Sequence, residues 1–274
     1  MFRLRSLPTR LLTLGRAYSG LVSETDTRGV TTITLNKPEV HNAFDTDLSS
    51  ALTSEFTRLS GPGGDATKVV VLRGAGKSFS AGADLNYMKA MGQMDEEENY
   101  EDASALAEMF SSLRNCPKPT INVAHGAIFG GGVGLVAACD IAFGLTNAKF
   151  CFSEVKLGLI PAVISPYCIA AMGERAAGRY FISGEIFSGK DAAKNGLLHE
   201  AFEDMEKLDA FLDKFVAGLL SNGPHAMGAA KNLLHIARGN PIDKTVIDAT
   251  SRAIAKQRVT PDAQARLAAF LKGK

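Results

Sequence analysis

Two glycine-bearing segments have the composition of an anion-binding site built from backbone amides. Ser80–Asp84 (SAGAD) and Gly130–Gly132 (GGG) both lie beyond apolar runs typical of strands, and the second leads directly into a predicted helix. Glycine lets backbone N–H groups approach a ligand with no side chain in the way. Two converging amides beside a helix N-terminus can hold a developing negative charge, which the helix dipole also stabilises.

Two neighbouring runs resemble nucleotide-binding motifs only in part. Gly74–Ser78 (GAGKS) looks like the end of a phosphate-binding loop, but the motif's first glycine would fall on Val71, which argues against nucleotide hydrolysis. Gly132–Ala137 satisfies GxGxxA, and Glu154 stands 20 residues beyond Gly134, where a ribose-binding acid belongs. The spacing to the next apolar strand is short for a crossover of about ten to twelve residues, yet a dinucleotide site stays open as the rival interpretation.

Other catalytic and metal signals are missing from the sequence. There is no GxSxG motif, and none of the five histidines has triad or metal-ligand spacing. The four cysteines are widely separated, which predicts small buried residues in a reducing compartment rather than a disulfide framework or a zinc site. They are Cys116, Cys139, Cys151 and Cys168.

Composition predicts a folded, water-soluble protein. The chain has 274 residues, of which 46% are hydrophobic and 22% charged, and no apolar run approaches the roughly 18 to 20 residues that cross a bilayer. The sequence therefore predicts no membrane partner.

The first twenty residues have the composition of a mitochondrial transit peptide. They contain four arginines, interleaved leucines and no acid, the first carboxylate being Glu24. We expect import into the mitochondrial matrix and a mature N-terminus near Ser19 to Ser23. Without these arginines, residues 21–274 carry a formal charge of −3 against +1 for the whole chain, which argues against nucleic acid as a partner.

Hydrophobic patterning predicts an α/β protein. Strands are expected at Val30–Leu35, Lys68–Leu72, Thr120–Ala124, Ile141–Leu145 and Lys149–Phe152, with helices over Asp45–Ser60, from the acidic stretch at 95–102 through Leu113, and up to about Cys139. From Ser165 onward the pattern is mainly helical, with no further strand. We therefore predict a leader at 1–20, a sheet-containing core at 21–215 and a helical region at 216–274.

Several motifs together resemble the enoyl-CoA hydratase/isomerase, or crotonase, superfamily. Their order and spacing match it across about residues 21–274. The matching runs are FSAGAD at 79–84, HG at 125–126, GGG at 130–132, CDIA at 139–142 and FSEVKLGLIP at 152–161.

The resemblance implies a spiral of repeated ββα units, a C-terminal helical trimerisation region and a homo-trimer or hexamer. It also implies an acyl-CoA thioester substrate whose carbonyl oxygen accepts hydrogen bonds from the amides of Ser80 and Gly131. Coenzyme A enters as part of the substrate, so no separate cofactor and no metal are implied. Asp84 is expected mainly as a loop or cap residue. The implied substrate-contacting residues are Ser80, Ala81, Gly82, Ala83, Asp84, Gly131 and Gly132.

Glu154 matches the family's proton-transferring glutamate. Hydratases of the superfamily generally use a second glutamate on the helix after the glycines, and that position is Gly134 here. The departure puts a two-carboxylate mechanism in doubt. A single glutamate also suffices for Δ3,Δ2-enoyl-CoA isomerases, because one base can move one proton between two carbons, so both reactions stay open.

A finer resemblance favours hydration. Gly131–Leu135, Leu159–Tyr167 and the acidic run near Glu97 are similar to bacterial-type methylglutaconyl-CoA hydratases of leucine degradation. Ser165 and Tyr167 could hold the distal carboxylate of such a substrate, or could simply form a helix N-terminus and a core aromatic. Animal members of this group include an RNA-binding protein with a lysine-rich helix, whereas the matching stretch at 41–60 has Asp45, Asp47 and Glu55 against one Arg58, which argues against RNA binding.

Overall fold

The computed structural model describes residues 14–273. The first thirteen residues, which hold most of the expected leader, lie outside the described part, as does Lys274. The described strands are β1 (Leu14–Tyr18), β2 (Leu21–Thr25), β3 (Val30–Leu35), β4 (Val69–Gly74), β5 (Thr120–Ala124), β6 (Ala127–Phe129), β7 (Ile141–Leu145), β8 (Lys149–Cys151), β9 (Phe187–Ser188) and β10 (Glu200–Phe202). The helices are α1 (Thr46–Ser60), α2 (Leu85–Met91), α3 (Glu96–Asn115), α4 (Gly131–Ala138), α5 (Ser165–Ser183), α6 (Gly189–Lys194), α7 (Met205–Ser221), α8 (Pro224–Ala237), α9 (Lys244–Arg258) and α10 (Pro261–Lys272).

The strands form two sheets. The larger has the order β1-β2-β3-β4-β5-β7-β10 and is parallel from β3 onward, while β6, β8 and β9 form a small second sheet. The expected α/β class and the C-terminal helical region are confirmed. The expectation that strands end before Ser165 was wrong, because β10 pairs with β7 and β9 with β8. Both have three residues or fewer, too few to show a period in the sequence.

Two apolar layers cover the large sheet. On one face α1, α3, α4 and α5 bury the larger core, where Phe56, Phe79 and Phe110 are fully buried. On the other face α7 packs against the strands through Leu208, Leu212 and Val216. The sheet is thus covered on both sides, which is why its central strands read as continuous apolar runs.

The expected domain boundary between residues 215 and 216 falls inside α7. Val216 is 3% exposed and belongs to the apolar layer under the sheet, so all of α7 is part of the core. α7 ends at Ser221, with Asn222 as its C-cap. Beyond it, α8, α9 and α10 contain no buried residue.

The last residues of the expected leader are part of the sheet. β1 pairs antiparallel with β2, and the Tyr18 hydroxyl donates to the fully buried carboxylate of Glu55 at 2.8 Å. Arg58 and Ser23 also hydrogen-bond this carboxylate, which lowers its pKa against the opposing effect of burial. Cleavage between Ser19 and Ser23 would remove β1 from this network.

The GxGxxA run does not lie in a dinucleotide-binding unit. Its residues are in α4, which has eight residues, and the strand before it, β6, belongs to the small sheet while the strand after it, β7, belongs to the large one. In a dinucleotide fold the helix connects two strands of one sheet. The structure therefore does not support a dinucleotide-binding site at the GxGxxA run.

Candidate active site

The loop after β4 and the turn before α4 meet at residue 80. Ser80 and Ile128 form a parallel bridge in which the Ser80 amide donates to the Ala127 carbonyl at 3.2 Å and the Phe129 amide donates to the Ser80 carbonyl at 2.9 Å. A side chain at Gly132 would begin 2.8 Å from the same Ser80 carbonyl, so the two glycine-bearing segments are in direct contact. The convergence expected from the sequence is present.

The amide of Ser80, however, is not available to a substrate. Its hydrogen bond to Ala127 uses the N–H, its hydroxyl donates to the Asn42 carbonyl at 2.9 Å, and the residue is completely buried. The assignment of Ser80 as an anion-holding donor is therefore corrected: Ser80 joins the two segments.

Ala83 carries the available amide on this loop. The Phe44 amide donates to the Gly82 carbonyl at 2.7 Å, and the Asp84 amide donates to the Phe44 carbonyl at 2.7 Å. In a trans peptide the C=O and the following N–H point in opposite directions, so the Ala83 N–H points away from Phe44. No acceptor within residues 14–273 takes it. No sequence signal separates it from Ser80, because backbone donors have no side-chain signature.

Gly131 supplies a second open amide. It is the first residue of α4, whose N-cap Gly130 has φ 49°, a left-handed conformation that favours glycine. The first amides of a helix have no partner inside it, and the Gly130 carbonyl is taken by the amides of Val133 and Gly134. Gly131 lies against the Phe44 ring, 3.3 Å from where its Cβ would be, so Phe44 touches both donor segments.

The carboxylate of Glu154 lies beside these amides. Glu154 begins a 3₁₀ turn after β8, and its Oε1 is 3.2 Å from the ideal Cβ position of Gly130, while the Cα of Gly82 is 3.9 Å from that same point. Its Oε2 is buried without a hydrogen-bond partner in the described part of the chain. Burial raises the pKa of Glu154, which suits a group that takes up and releases a proton.

The position of the family's second glutamate is filled by apolar side chains. Gly134 is one helical turn from Gly130, on the same face of α4. A Cβ there would lie 2.3 Å from Cγ2 of Ile164 and 2.8 Å from Cε1 of Phe110, so a longer side chain has no room. The second carboxylate is thus replaced by an apolar wall.

Three other expected site residues have local structural roles. Asp84 is the N-cap of α2 and accepts from the Asn86 amide at 2.8 Å. The Ser165 hydroxyl donates to the Ala162 carbonyl at 2.8 Å at the start of α5. The Tyr167 ring packs 5.8 Å from that of Phe110, and burial raises the pKa of its hydroxyl. Among the hydrogen bonds of residues 14–273, none joins these side chains to Glu154.

The described residues also bear on metal and membrane binding. Residues 14–273 contain no group of three or more side chains placed to hold a metal ion. None of their helices is long and apolar enough to cross a bilayer. All four cysteines are free and buried, as expected from their spacing.

Comparison with known proteins gives a consistent family. The family model described as Enoyl-CoA hydratase/isomerase matches residues 25–272. Enoyl-CoA hydratase AKT6-1 of Alternaria alternata is 32% identical over 252 residues, covering 90% of this chain and 80% of that protein. A mitochondrial Delta(3,5)-Delta(2,4)-dienoyl-CoA isomerase of Dictyostelium discoideum is 26% identical over 81% of this chain and 78% of its own. The crystal structure of an enoyl-CoA hydratase from Shewanella pealeana superposes with a TM-score of 0.88 at 40% identity, covering 93% and 94% of the two chains.

Proposed function

Because this chain belongs to the enoyl-CoA hydratase/isomerase family, we propose that it catalyses reversible syn hydration of a 2-enoyl-CoA thioester, with 3-methylglutaconyl-CoA as its substrate. The observation that carries the chemistry is the convergence of the Glu154 carboxylate with the segments that present the open amides of Ala83 and Gly131. Named hydratases at 32% and 40% identity support hydration, and the sequence resemblance supports the branched substrate.

The two amides act on the thioester carbonyl oxygen. As charge moves onto this oxygen, N–H groups fixed by the backbone stabilise it without having to reorganise. Loss of one such donor typically raises the barrier by about 3 to 4 kcal/mol. The Ala83 and Gly131 amides would thus hold the enolate that either hydration or isomerisation requires.

Glu154 handles both protons of hydration. Water forms the O–C3 bond and loses a proton to the Glu154 carboxylate as the C2–C3 double bond opens to the enolate. Glu154 then delivers a proton to C2, which restores the carboxylate and the thioester carbonyl. A single carboxylate serves one face of the substrate, so the addition is syn.

Isomerisation of a 3-enoyl-CoA to a 2-enoyl-CoA is the second candidate. The Ile164 and Phe110 wall at Gly134 favours it, because no second carboxylate can orient water there. Glu154 would remove a proton from C2 and return one to C4, with the same amides holding the dienolate.

A parallel assay on three thioesters decides between the reactions. Purified protein is given methylglutaconyl-CoA, crotonyl-CoA and a 3-enoyl-CoA, and products are separated by chromatography. We expect the highest kcat/KM for hydration of methylglutaconyl-CoA. Double-bond migration in the 3-enoyl thioester with no hydration of any substrate would establish the isomerase instead.

The proposal includes self-association into a trimer or hexamer. Leu234, Ile254 and Leu267 on the three C-terminal helices are 54%, 49% and 54% exposed, and no residue of these helices is buried within the chain. Apolar surface of this kind is typically covered by another protein surface. Light scattering at micromolar concentration tests it, and a monomer would refute it.

We also propose import into the mitochondrial matrix with removal of the arginine-rich leader. The pairing of β1 with β2 and the Tyr18 to Glu55 hydrogen bond favour a mature N-terminus before Leu14 over one near Ser19 to Ser23. N-terminal sequencing of the protein from mitochondria separates the two. An intact Met1 or a cytosolic protein would contradict the proposal.

A further inference from the structure

Asn42 joins two backbone segments through three hydrogen bonds of one buried side chain. It is 0% exposed, and its Oδ1 accepts from the Lys37 amide at 2.8 Å. Its Nδ2 donates to the Ala75 carbonyl at 2.9 Å and to the Ser78 carbonyl at 2.8 Å. Asn42 therefore connects the turn after β3 to the loop after β4, the loop that ends with Ala83 and Asp84.

The backbone around Asn42 continues this connection along the loop. The Ala81 amide donates to the His41 carbonyl at 3.0 Å, and the Ser80 hydroxyl donates to the Asn42 carbonyl at 2.9 Å. Two residues further on, the Phe44 amide donates to the Gly82 carbonyl, and this hydrogen bond turns the Ala83 amide outward. The segment 41–44 thus sets the orientation of an amide that belongs to another loop.

The conformation of Asn42 is costly, which indicates that its surroundings impose it. Among residues 14–273, His41 and Asn42 are the non-glycine residues with positive φ, both at 54°. Such a backbone costs on the order of 1 kcal/mol or more and persists only where many contacts determine it. Asparagine tolerates it better than most residues and also offers the amide that the loop requires.

We propose that Asn42 is a positioning residue that holds the Ala83 amide toward the substrate's carbonyl oxygen. The inference rests on the proposed function, because the amide needs a thioester carbonyl to act on. A hydrogen bond to that oxygen strengthens as negative charge develops on it, so a displaced amide weakens transition-state binding more than substrate binding. Loss of Asn42 therefore lowers kcat and leaves KM nearly unchanged.

The test uses Asn42→Gly, since glycine adopts φ 54° without strain and lacks the side-chain amide. We expect kcat about 10- to 100-fold below wild type, as for a catalytic donor displaced by about 1 Å, with KM within about threefold. Bound cinnamoyl-CoA gives a second readout, because polarisation of its carbonyl shifts its absorption to longer wavelength. This shift should be smaller in the variant.

Asn122→Ala is the matched control. Asn122 on β5 is also 0% exposed, but its side-chain amide has no hydrogen-bond partner within the described chain. Its truncation removes a buried amide without breaking a hydrogen bond to the loop. We expect wild-type kcat and a wild-type absorption shift. Equal losses in both variants would mean that Asn42 acts only through general stability and would overturn the proposal.

Ser80→Ala decides the matter if Asn42→Gly does not fold. It removes only the hydroxyl that bonds the Asn42 carbonyl, and we expect a smaller absorption shift and a kcat lowered about 3- to 10-fold. If Asn42→Gly folds and shows wild-type kcat and a wild-type absorption shift, the inference is overturned while the proposed function stands. If Asn42→Gly does not fold, the same result in Ser80→Ala overturns the inference. A wild-type protein that neither turns over a thioester nor shifts cinnamoyl-CoA would overturn the proposed function, and this inference with it.

Discussion

Glu154 and Gly134 both lie next to Gly130, yet their surroundings are opposite in kind. The Glu154 carboxylate lies beside Gly130, with its Oε2 buried and without a hydrogen-bond partner in the described chain, whereas the space beyond Gly134 is filled by Ile164 and Phe110. One position holds an ionisable group beside the segments that carry the open amides, and the other leaves no room for such a group. This site therefore differs from a two-carboxylate site in shape as well as in charge.

The largest expected effect comes from replacing the Glu154 carboxylate with a neutral amide. Glu154→Gln keeps the size of the side chain but can neither accept nor deliver the proton, so turnover should fall by about 100-fold or more. Steady-state kinetics with the thioester that gives the best wild-type rate measures this loss. Thioester binding should be retained.

Asp102→Asn is the control for that experiment. Asp102 accepts a hydrogen bond from the Tyr87 hydroxyl at 2.5 Å in the cleft between α1 and α3, whose lining includes neither Glu154 nor the residues with the open amides. We expect its turnover to match wild type within about twofold, as for a substitution outside the acid–base machinery. Near-normal turnover in Glu154→Gln together with a large loss in Asp102→Asn would transfer the proton chemistry to Asp102.

Placing a carboxylate at position 134 tests directly whether Ile164 and Phe110 exclude a longer side chain there. Gly134→Glu should lower the free energy of unfolding by about 1 to 3 kcal/mol, as overpacked cores do, and should add no hydration activity. Adding Ile164→Ala removes the Cγ2 atom that the new Cβ meets at 2.3 Å, so the double variant should recover part of the stability. Denaturant titration gives both values.

Gly218 on α7 is the matched control, because a glutamate there is expected to raise the free energy of unfolding. The Cβ position of Gly218 has no heavy atom within 4 Å, and the residue is exposed. Gly218→Glu should therefore stabilise the protein by up to about 1 kcal/mol, because glycine is a poor helix former. If Gly134→Glu proved as stable as Gly218→Glu and also gained hydration activity, Ile164 and Phe110 would not exclude a side chain at position 134.

The smallest expected effect concerns the pH dependence of stability. Burial raises the pKa of Glu154 in the folded protein above the ordinary glutamate value of 4.5. Well below pH 4.5 the carboxyl is protonated in both states. As pH rises, the unfolded chain releases this proton first, so wild type loses stability until pH passes the folded pKa.

Glu154→Gln should therefore be more stable than wild type at pH 7 and equal to it near pH 4. The gain amounts to about 1.4 kcal/mol for each unit by which the pKa is raised. Thermal or denaturant unfolding at several pH values checks it. A variant less stable than wild type at pH 7 would mean that the carboxylate is stabilised by contacts rather than disfavoured by burial.

Elements with long, regular patterns were predictable from the sequence. Thr120–Ala124 and Ile141–Leu145 match β5 and β7 at both ends, because buried parallel strands are continuous apolar runs with clear boundaries. α1 begins one residue after the predicted start, at the position that its Asp45 cap requires. α2 was not predicted, because it has only seven residues and none of them is buried. β6, β9 and β10 exist only through their pairing partners.

The features that carry the family's chemistry could all be read from the sequence: the two glycine-bearing segments, the single glutamate and the glycine at position 134. These depend on residue type and local spacing, which a sequence displays directly. The fold was needed to show that Ser80 uses its amide in a bridge while Ala83 keeps its own open. It was also needed to show that Ile164 and Phe110 fill the space beside Gly134. The physical reason is that hydrogen-bond partners and packing neighbours come from distant parts of the chain, as Asn42 does for the loop that ends at Ala83.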